Sequence, residues 1–347
     1  MAKITLESII NLEPNRVPTD AKSYSTFIYA NPKTGKSTFV NDLYGEKVLF
    51  LATERRHDAI AGAMVINIDS WAEFLQAMKL LKKPEVQEKF DAICIDTVTR
   101  LESYCEKYVL QNLNVDDLSE VAWGGGFSAY NKEIENGLSL IEKSGYTPVF
   151  ISHAKTETVK VLKSEASKEQ ASVEGAKLVK EKDGKEYVEY QKQIPDVKTK
   201  FFNMINRIAD HVLYLGITVD SNGSETRRIF FRDTPEHFAG ASFAHIQDYS
   251  DLSPESYQEA VEKALSKEGK SHVEDRKREQ SKGPQYNFDE LMLELNKIGK
   301  ELQDNGKGKE RNAVVEKVLG HGKKAKDLDE SQVEVLSVLV NELKEIA

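Results

Sequence analysis

The apolar run Thr26-Phe27-Ile28-Tyr29 passes directly into Ala30-Asn31-Pro32-Lys33-Thr34-Gly35-Lys36-Ser37-Thr38, and no other stretch of the 347 residues restricts the fold as sharply. Four apolar or β-branched residues ahead of a turn containing Pro and Gly read as a buried strand, and the residues from Lys36 to Tyr44 read as a helix. A turn in that place points successive backbone N–H groups inward, and the helix adds the positive end of its dipole, so the loop suits an anion. The spacing follows G-x-x-x-x-G-K-[ST], in which the lysine reaches the β- and γ-phosphates and the hydroxyl faces Mg²⁺. Lys36 and Ser37 take those places; Asn31, Pro32, Lys33, Thr34, Gly35 and Thr38 complete the cradle. Ala30 replaces the first glycine of the pattern, which a turn tolerates unless it needs φ > 0 there. The alternative is a chance Gly-Lys-Ser turn, against which the flanking strand and helix both count. The reading is a nucleoside-triphosphate site.

Beyond the loop, short unbroken apolar runs alternate with helical periodicity. Strands are expected over 47–51, 65–68, 92–95 and 148–152. Helices are expected over 70–81, with Ser70 as N-cap, and in a long stretch after Asp96 that Trp123-Gly124-Gly125-Gly126 interrupts. Runs of this kind lie in parallel strands covered on both faces, so the expected fold class is α/β with a mostly parallel central sheet. Residues 155–200 turn rich in Lys and Glu, with a hairpin signal at Asp183-Gly184, and read as a long functional or mobile insertion. A helix over 201–208 and strands over 211–215 and 228–231, joined across Ser221-Asn222-Gly223, complete a core placed at 21–265 behind a leader of 1–20. Residues 266–287 read as a polar linker. A small C-terminal helical domain, 288–347, follows, with helices over 288–303, 313–319 and 329–346. Val333, Val335, Leu336, Val338, Leu339 and Leu343 form the expected apolar stripe of its last helix.

Composition excludes some settings. A net charge of −9 rules out a uniformly basic surface, so any nucleic-acid contact has to come from local patches. Cys94 and Cys105 are the only cysteines and have neither metal nor disulfide spacing. No apolar run approaches the roughly 18 residues of a membrane span, and the N-terminus lacks a signal-peptide core. A soluble, cytoplasmic protein is expected.

Three further residues point to chemistry. Asp96 closes the strand 92–95, where a carboxylate can orient Mg²⁺ together with the Ser37 hydroxyl; alone, it would be an ordinary strand-ending turn residue. Glu54 follows the strand 47–51, where it can polarise the water that attacks the γ-phosphate, or else pair on the surface with Arg55 or Arg56. His153 follows 148–152 and can contact the γ-phosphate, or serve as a structural histidine.

Together, the phosphate loop, a glutamate ending the next strand, Ile95-Asp96-Thr97, and a strand ending in Ser152-His153 resemble the RecA/RadA-like ATPase core over roughly residues 20–250. Within that family the chain is similar to small phage-encoded RecA-like proteins of single-strand annealing and recombination. The resemblance implies Glu54 as water-activating base, His153 as γ-phosphate sensor, ATP and Mg²⁺ as cofactors, and a homo-oligomer, filament or ring. It places a first DNA-binding loop at Trp123, Phe127 and Tyr130, and a second in 155–200. There Lys155, Lys160, Lys163, Lys198 and Lys200 would meet phosphates, with Phe201 and Phe202 as weaker candidates under bases. Glutamates nearly balance these lysines, so a solvated insertion stays open, and Trp123 can equally pack in a core. Arg227, Arg228 and Arg232 are the candidates for a cation acting in the neighbouring subunit's site, or for a charged strand edge. Ala241-Ser242 departs from the family here, where related chains tend to carry Asn-Arg. Lysines of the C-terminal domain could touch DNA or a partner such as a single-strand-binding protein; a solvated face is the plainer reading.

The implied function is an ATPase, stimulated by single-stranded DNA, that promotes annealing or strand exchange. A replicative helicase or helicase loader, and a regulatory ATPase indifferent to DNA, are the alternatives.

Overall fold

The computed structural model describes residues 6–12, 17–55, 57–182, 184–219, 222–267 and 287–347. The described residues divide into two compact units, one over 6–267 and one over 287–347. In the first, the strands are β1 (Thr26–Ala30), β2 (Val48–Ala52), β3 (Met64–Asn67), β4 (Ala92–Asp96), β5 (Thr147–Leu162), β6 (Lys177–Lys180), β7 (Glu186–Pro195), β8 (His211–Val219), β9 (Glu225–Phe230), β10 (Gly240–Ala241) and β11 (Tyr249–Asp251). Its helices are α1 (Leu6–Ile10), α2 (Lys36–Tyr44), α3 (Trp71–Leu80), α4 (Pro84–Gln87), α5 (Val98–Leu113), α6 (Gly125–Glu142), α7 (Lys168–Ala171), α8 (Thr199–Ile208) and α9 (Pro254–Lys267).

The sheet runs β11-β9-β8-β1-β5-β4-β2-β3, parallel from β8 to β3, with β9 and β11 added antiparallel at one edge. Every residue of β1, β2 and β4 is buried, because helices cover both faces. Alternation along each strand sorts the side chains into two cores. Phe27, Tyr29, Leu51, Ile95 and Phe150 pack with α3, α5, α6 and α8. Ile28, Phe50, Cys94, Val149 and Leu213 pack with α2 and α9 on the other face. Both cysteines are free and buried, and burial raises both thiol pKa values. Among the described residues no helix is long and apolar enough to cross a membrane.

Two parts of this unit differ from the sequence expectation. Most of 155–200 is not a loop: β5 runs on past the sheet and pairs antiparallel with β7, which pairs with β6, making a three-stranded arm. Its Lys and Glu residues oppose one another across the strands, as Lys160 opposes Glu189 and Glu189 opposes Lys177, and alternate with apolar pairs such as Val161 and Val188. Of the expected hairpin turn, Asp183 lies outside the described residues. The second difference is α9, which the patterning above leaves out; it buries Tyr257, Val261 and Leu265 in the α2 face.

Residues 268–286, most of the expected linker, lie outside the described residues; Ser266 and Lys267 end α9. The C-terminal unit has three helices, α10 (Phe288–Asp304), α11 (Gly308–Leu319) and α12 (Val333–Ile346), around Leu295, Leu302, Leu319, Leu336, Leu339 and Leu343. The stripe of α12 is narrower than expected. Leu336, Leu339, Val340 and Leu343 are buried, whereas Val335 and Val338 are exposed, as a 3.6-residue period requires.

Phe150 stands in the middle of the sheet, fully buried. Phe150→Ala is expected to cost about 3–5 kcal/mol, from lost transfer energy and the cavity left behind. A urea midpoint equal to that of the parent chain would show that the core is not built around this strand.

Candidate nucleotide site

The site is assembled by strand register. Ala30 of β1 pairs with His153 of β5, while Asp96 of β4 pairs with Ala52 of β2 on one side and Ile151 on the other. The C-terminal ends of four parallel strands therefore meet on one edge of the sheet, where open α/β sheets bind ligands. From that edge Gly35 opens α2 with φ 104°, a left-handed conformation that disfavours a Cβ. Thr34 Oγ1 donates to the Asn31 carbonyl at 2.8 Å and tightens the loop.

Lys36 is buried, and its Nζ donates to the carbonyls of Ala30 at 3.0 Å and Asn31 at 3.1 Å. Burial lowers its pKa below the ordinary lysine value, against the opposing pull of the Asp96 and Glu54 carboxylates. An ammonium stripped of water this way gains strongly from a phosphate. The Ser37 hydroxyl donates to Asp96 Oδ2. A hydroxyl and a carboxylate are the hard-oxygen pair that a phosphate-bound Mg²⁺ takes from protein, waters supplying the rest. Among the described residues no group of three His, Cys, Asp or Glu could hold a metal, and this arrangement does not need one.

Glu54 lies across the edge from the loop. Its Oε1 is 3.2 Å from His153 Nε2 and accepts from Thr97 Oγ1 at 3.4 Å. Arg55 pairs instead with Asp69, at 2.6 Å. Thr53 locks the two strand ends together, since its N–H donates to Asp96 O at 2.8 Å and its Oγ1 accepts from Thr97 N at 2.8 Å. Pro32, Thr53, Glu54, Arg55, Asp69, Arg100 and His153 line a polar cavity of about 430 Å³. A larger cavity, about 680 Å³, lies beside β3; its lining is mainly apolar and includes none of the candidate residues.

The structure also brings in a residue that the sequence reading missed. His57, three residues past Glu54 and buried, places Nε2 3.0 Å from Asp96 Oδ2. Its spacing from Glu54 was the only signal, and a lone histidine in a turn gives little to read.

The DNA-loop candidates separate. Trp123 is 103% exposed with φ 59°, and Phe127 is half exposed. Tyr130, by contrast, is buried, and its hydroxyl donates to Glu102 Oε1 at 2.7 Å, so it is not placed to stack on a base. The same correction applies to Phe201, which is buried, and to Phe202, which packs against the rings of Phe27 and Phe238. Lys155 donates to Val197 O at 3.1 Å, Lys160 pairs with Glu181 and Glu189, Lys163 with Glu186, and Lys198 with Glu106; Lys200 is exposed.

The arginines separate as well. Arg228 pairs with Asp251, and Arg232 donates to the carbonyls of Ala244 and Ile246. Arg227 stands at the phosphate loop of its own chain, with Nη1 3.6 Å from where a Cβ on Gly35 would sit.

With this geometry in hand, comparison with known proteins gives a family. The AAA_24 model, described as an AAA domain, matches residues 22–243. The chain belongs to that AAA-domain family. The match spans the phosphate loop and every strand end that forms the site, so this AAA-domain chain is a nucleotide-hydrolysing P-loop protein. It is 26% identical over 334 residues to the SPbeta prophage-derived uncharacterized protein YorG of Bacillus subtilis (strain 168), covering 92% of each chain. A shorter match, 31% identical over 121 residues, is to GTPase Der of Dinoroseobacter shibae and covers 30% of this chain and 24% of that protein. The flagellar accessory protein FlaH of Methanocaldococcus jannaschii aligns over 67% of this chain and 85% of its own, at 11% identity and a TM-score of 0.31.

Lys36→Ala removes the buried ammonium. Nucleotide affinity, read by titration calorimetry, is expected to fall about a hundredfold or more, the order seen when a buried charge pair loses one partner. Undiminished binding by a folded variant would place the nucleotide elsewhere.

Proposed function

We propose that this protein is an ATP- and Mg²⁺-dependent ATPase that binds single-stranded DNA and promotes annealing or strand exchange in phage recombination or replication. The observation that carries this reading is Trp123. A bulky side chain held in the left-handed region costs roughly 1–2 kcal/mol, and a fully exposed indole recovers none of it by packing. Backbone strain of this kind concentrates where a ligand is met, and an exposed ring beside Phe127 suits stacking under unpaired bases.

The same region connects to the nucleotide edge. Trp123 and Phe127 flank and open α6, whose Tyr130 donates to Glu102 on α5, and α5 begins two residues after Asp96. Glu102 also accepts from Lys198 N at 3.1 Å, which draws in the foot of the β-arm. Burial raises the Glu102 pKa and the two hydrogen bonds oppose it. The similarity to a prophage-derived protein supports the phage setting.

At the nucleotide, Lys36 and the backbone N–H groups of the loop would hold the β- and γ-phosphates, and Arg227 would meet them from the same chain. Ser37 and Asp96 would hold Mg²⁺, which when bound neutralises phosphate charge. Glu54 would orient a water and accept its proton, and His153, hydrogen-bonded to Glu54, would touch the γ-phosphate.

A second reading, a regulatory ATPase acting on proteins, draws support from the arm, where Lys160, Lys163 and Lys177 are already paired with glutamates. Steady-state ATP hydrolysis with and without single-stranded DNA separates the two, with Lys36→Ala as the blank. Stimulation by single strands over duplex is expected. Hydrolysis indifferent to DNA would discard the recombination reading in favour of the second.

Two variants sharpen it. Glu54→Gln is expected to bind ATP normally and turn over about 10²–10⁴-fold more slowly, the span of a positioned base. Trp123→Ala is expected to weaken single-strand binding by about 1–3 kcal/mol, and unchanged binding in a fluorescence-anisotropy titration would rule it out as a stacking residue.

A further inference from the structure

We infer that His57 is a positioning residue for Asp96: its Nε2–H holds the carboxylate in place so that the Ser37 hydroxyl can turn to a divalent cation. This rests on the reading of Ser37 and Asp96 as the metal side of the site.

Three elements converge on one oxygen. Asp96 Oδ2 receives the Ser37 hydroxyl from the start of α2 and the His57 ring from the turn after β2, at 3.0 Å. The carboxylate and the imidazole are each more than nine-tenths buried as side chains, at 8% and 7% exposed. A carboxylate so removed from water needs donors. When the serine oxygen becomes a ligand, its proton and lone pairs are redirected, and among the described residues His57 is the side-chain donor left on Oδ2. The carboxylate then keeps its orientation without the hydroxyl that first held it.

The other ring nitrogen indicates which way the bond runs. His57 Nδ1 is buried and has no hydrogen-bond partner. Among the described residues the only acceptor facing the ring is therefore at Nε2, which assigns the N–H to that nitrogen and makes it the donor. A buried nitrogen left without a partner keeps its desolvation penalty uncompensated. If the ring served only to pack on Phe50, whose centroid lies 5.1 Å away, a phenyl would do so without that cost. What an imidazole adds is the bond to Asp96. Carboxylate ligands are commonly oriented by such outer partners, whose loss weakens metal binding about 10–100-fold.

The test separates the ring from its N–H. His57→Gln keeps an N–H donor of similar reach; His57→Phe keeps a ring on Phe50 and loses the donor; His57→Ala loses both. Mn²⁺ serves as the probe, its affinity for the protein–ADP complex read by electron paramagnetic resonance. ADP affinity in EDTA is measured alongside. The expected result is a Mn²⁺ affinity about tenfold or more weaker in the Phe and Ala variants, restored towards the parent value in Gln. ADP affinity without metal should stay unchanged in all three. Parent-like Mn²⁺ affinity in the Phe variant, or equal losses in Gln and Phe, would overturn the inference. The two donor-less variants guard against one failing to fold. Asp96→Asn completes the set: if it leaves Mn²⁺ affinity intact, the metal-side reading fails and takes the role of His57 with it, whereas a loss there with none in Phe refutes His57 alone.

Discussion

Parallel strand register is the constraint on which the site depends. Ala30, Ala52, Asp96 and His153 share one edge of the sheet because the ladders among β1, β5, β4 and β2 are fixed by residues buried on both faces. A one-residue slip of β4 would reverse the face of every side chain on the strand, sending Ile95 into the opposite core and Asp96 away from Ser37. The Thr53 bonds to Asp96 and Thr97 extend that register past the strand ends, where a ladder ordinarily frays. The apolar residues that make the fold thus also aim the polar ones.

The edge concentrates charge that burial makes expensive to leave unpaired. The Asp96 and Glu54 carboxylates both act on the Lys36 ammonium, and Lys36 and Asp96 are close to fully buried. Each is met by hydrogen-bond partners from a different element: carbonyls of the loop for Lys36, Ser37 and His57 for Asp96, Thr97 and His153 for Glu54. Such a network is set for a polyanion, since an incoming phosphate replaces weak carbonyl acceptors with charged ones. Glu102 repeats the pattern one helix further on, buried and bonded to Tyr130 and Lys198.

Legibility in the sequence followed locality. The phosphate loop, the strand-end carboxylates Glu54 and Asp96, and the alternation of strands and helices are all short-range patterns, and each element appears where the residues indicate. The β6–β7 hairpin of the arm was legible, but its pairing with the extension of β5 was not, because alternating Lys and Glu residues on those strands look like a solvated linker until the partner strand is known. Tyr130 and Trp123 stand seven residues apart in one aromatic, glycine-rich segment, yet one is buried and the other fully exposed. A helix begins between them, and the face of α6 that meets α5 includes only Tyr130.

By itself the sequence determined a strand–loop–helix able to cradle phosphates, an α/β core around it, and a helical C-terminal unit, because these depend on residues adjacent along the chain and on hydrophobic period. Only the tertiary structure decided that His57 reaches Asp96 Oδ2, that Arg55 turns to Asp69 while Glu54 turns to His153, and that Arg227 stands at its own chain's phosphate loop. Those pairings join residues from 14 to 99 positions apart, or in the case of Arg227 nearly two hundred. Burial and register choose among chemically equivalent partners, and neither is written in any local stretch of sequence.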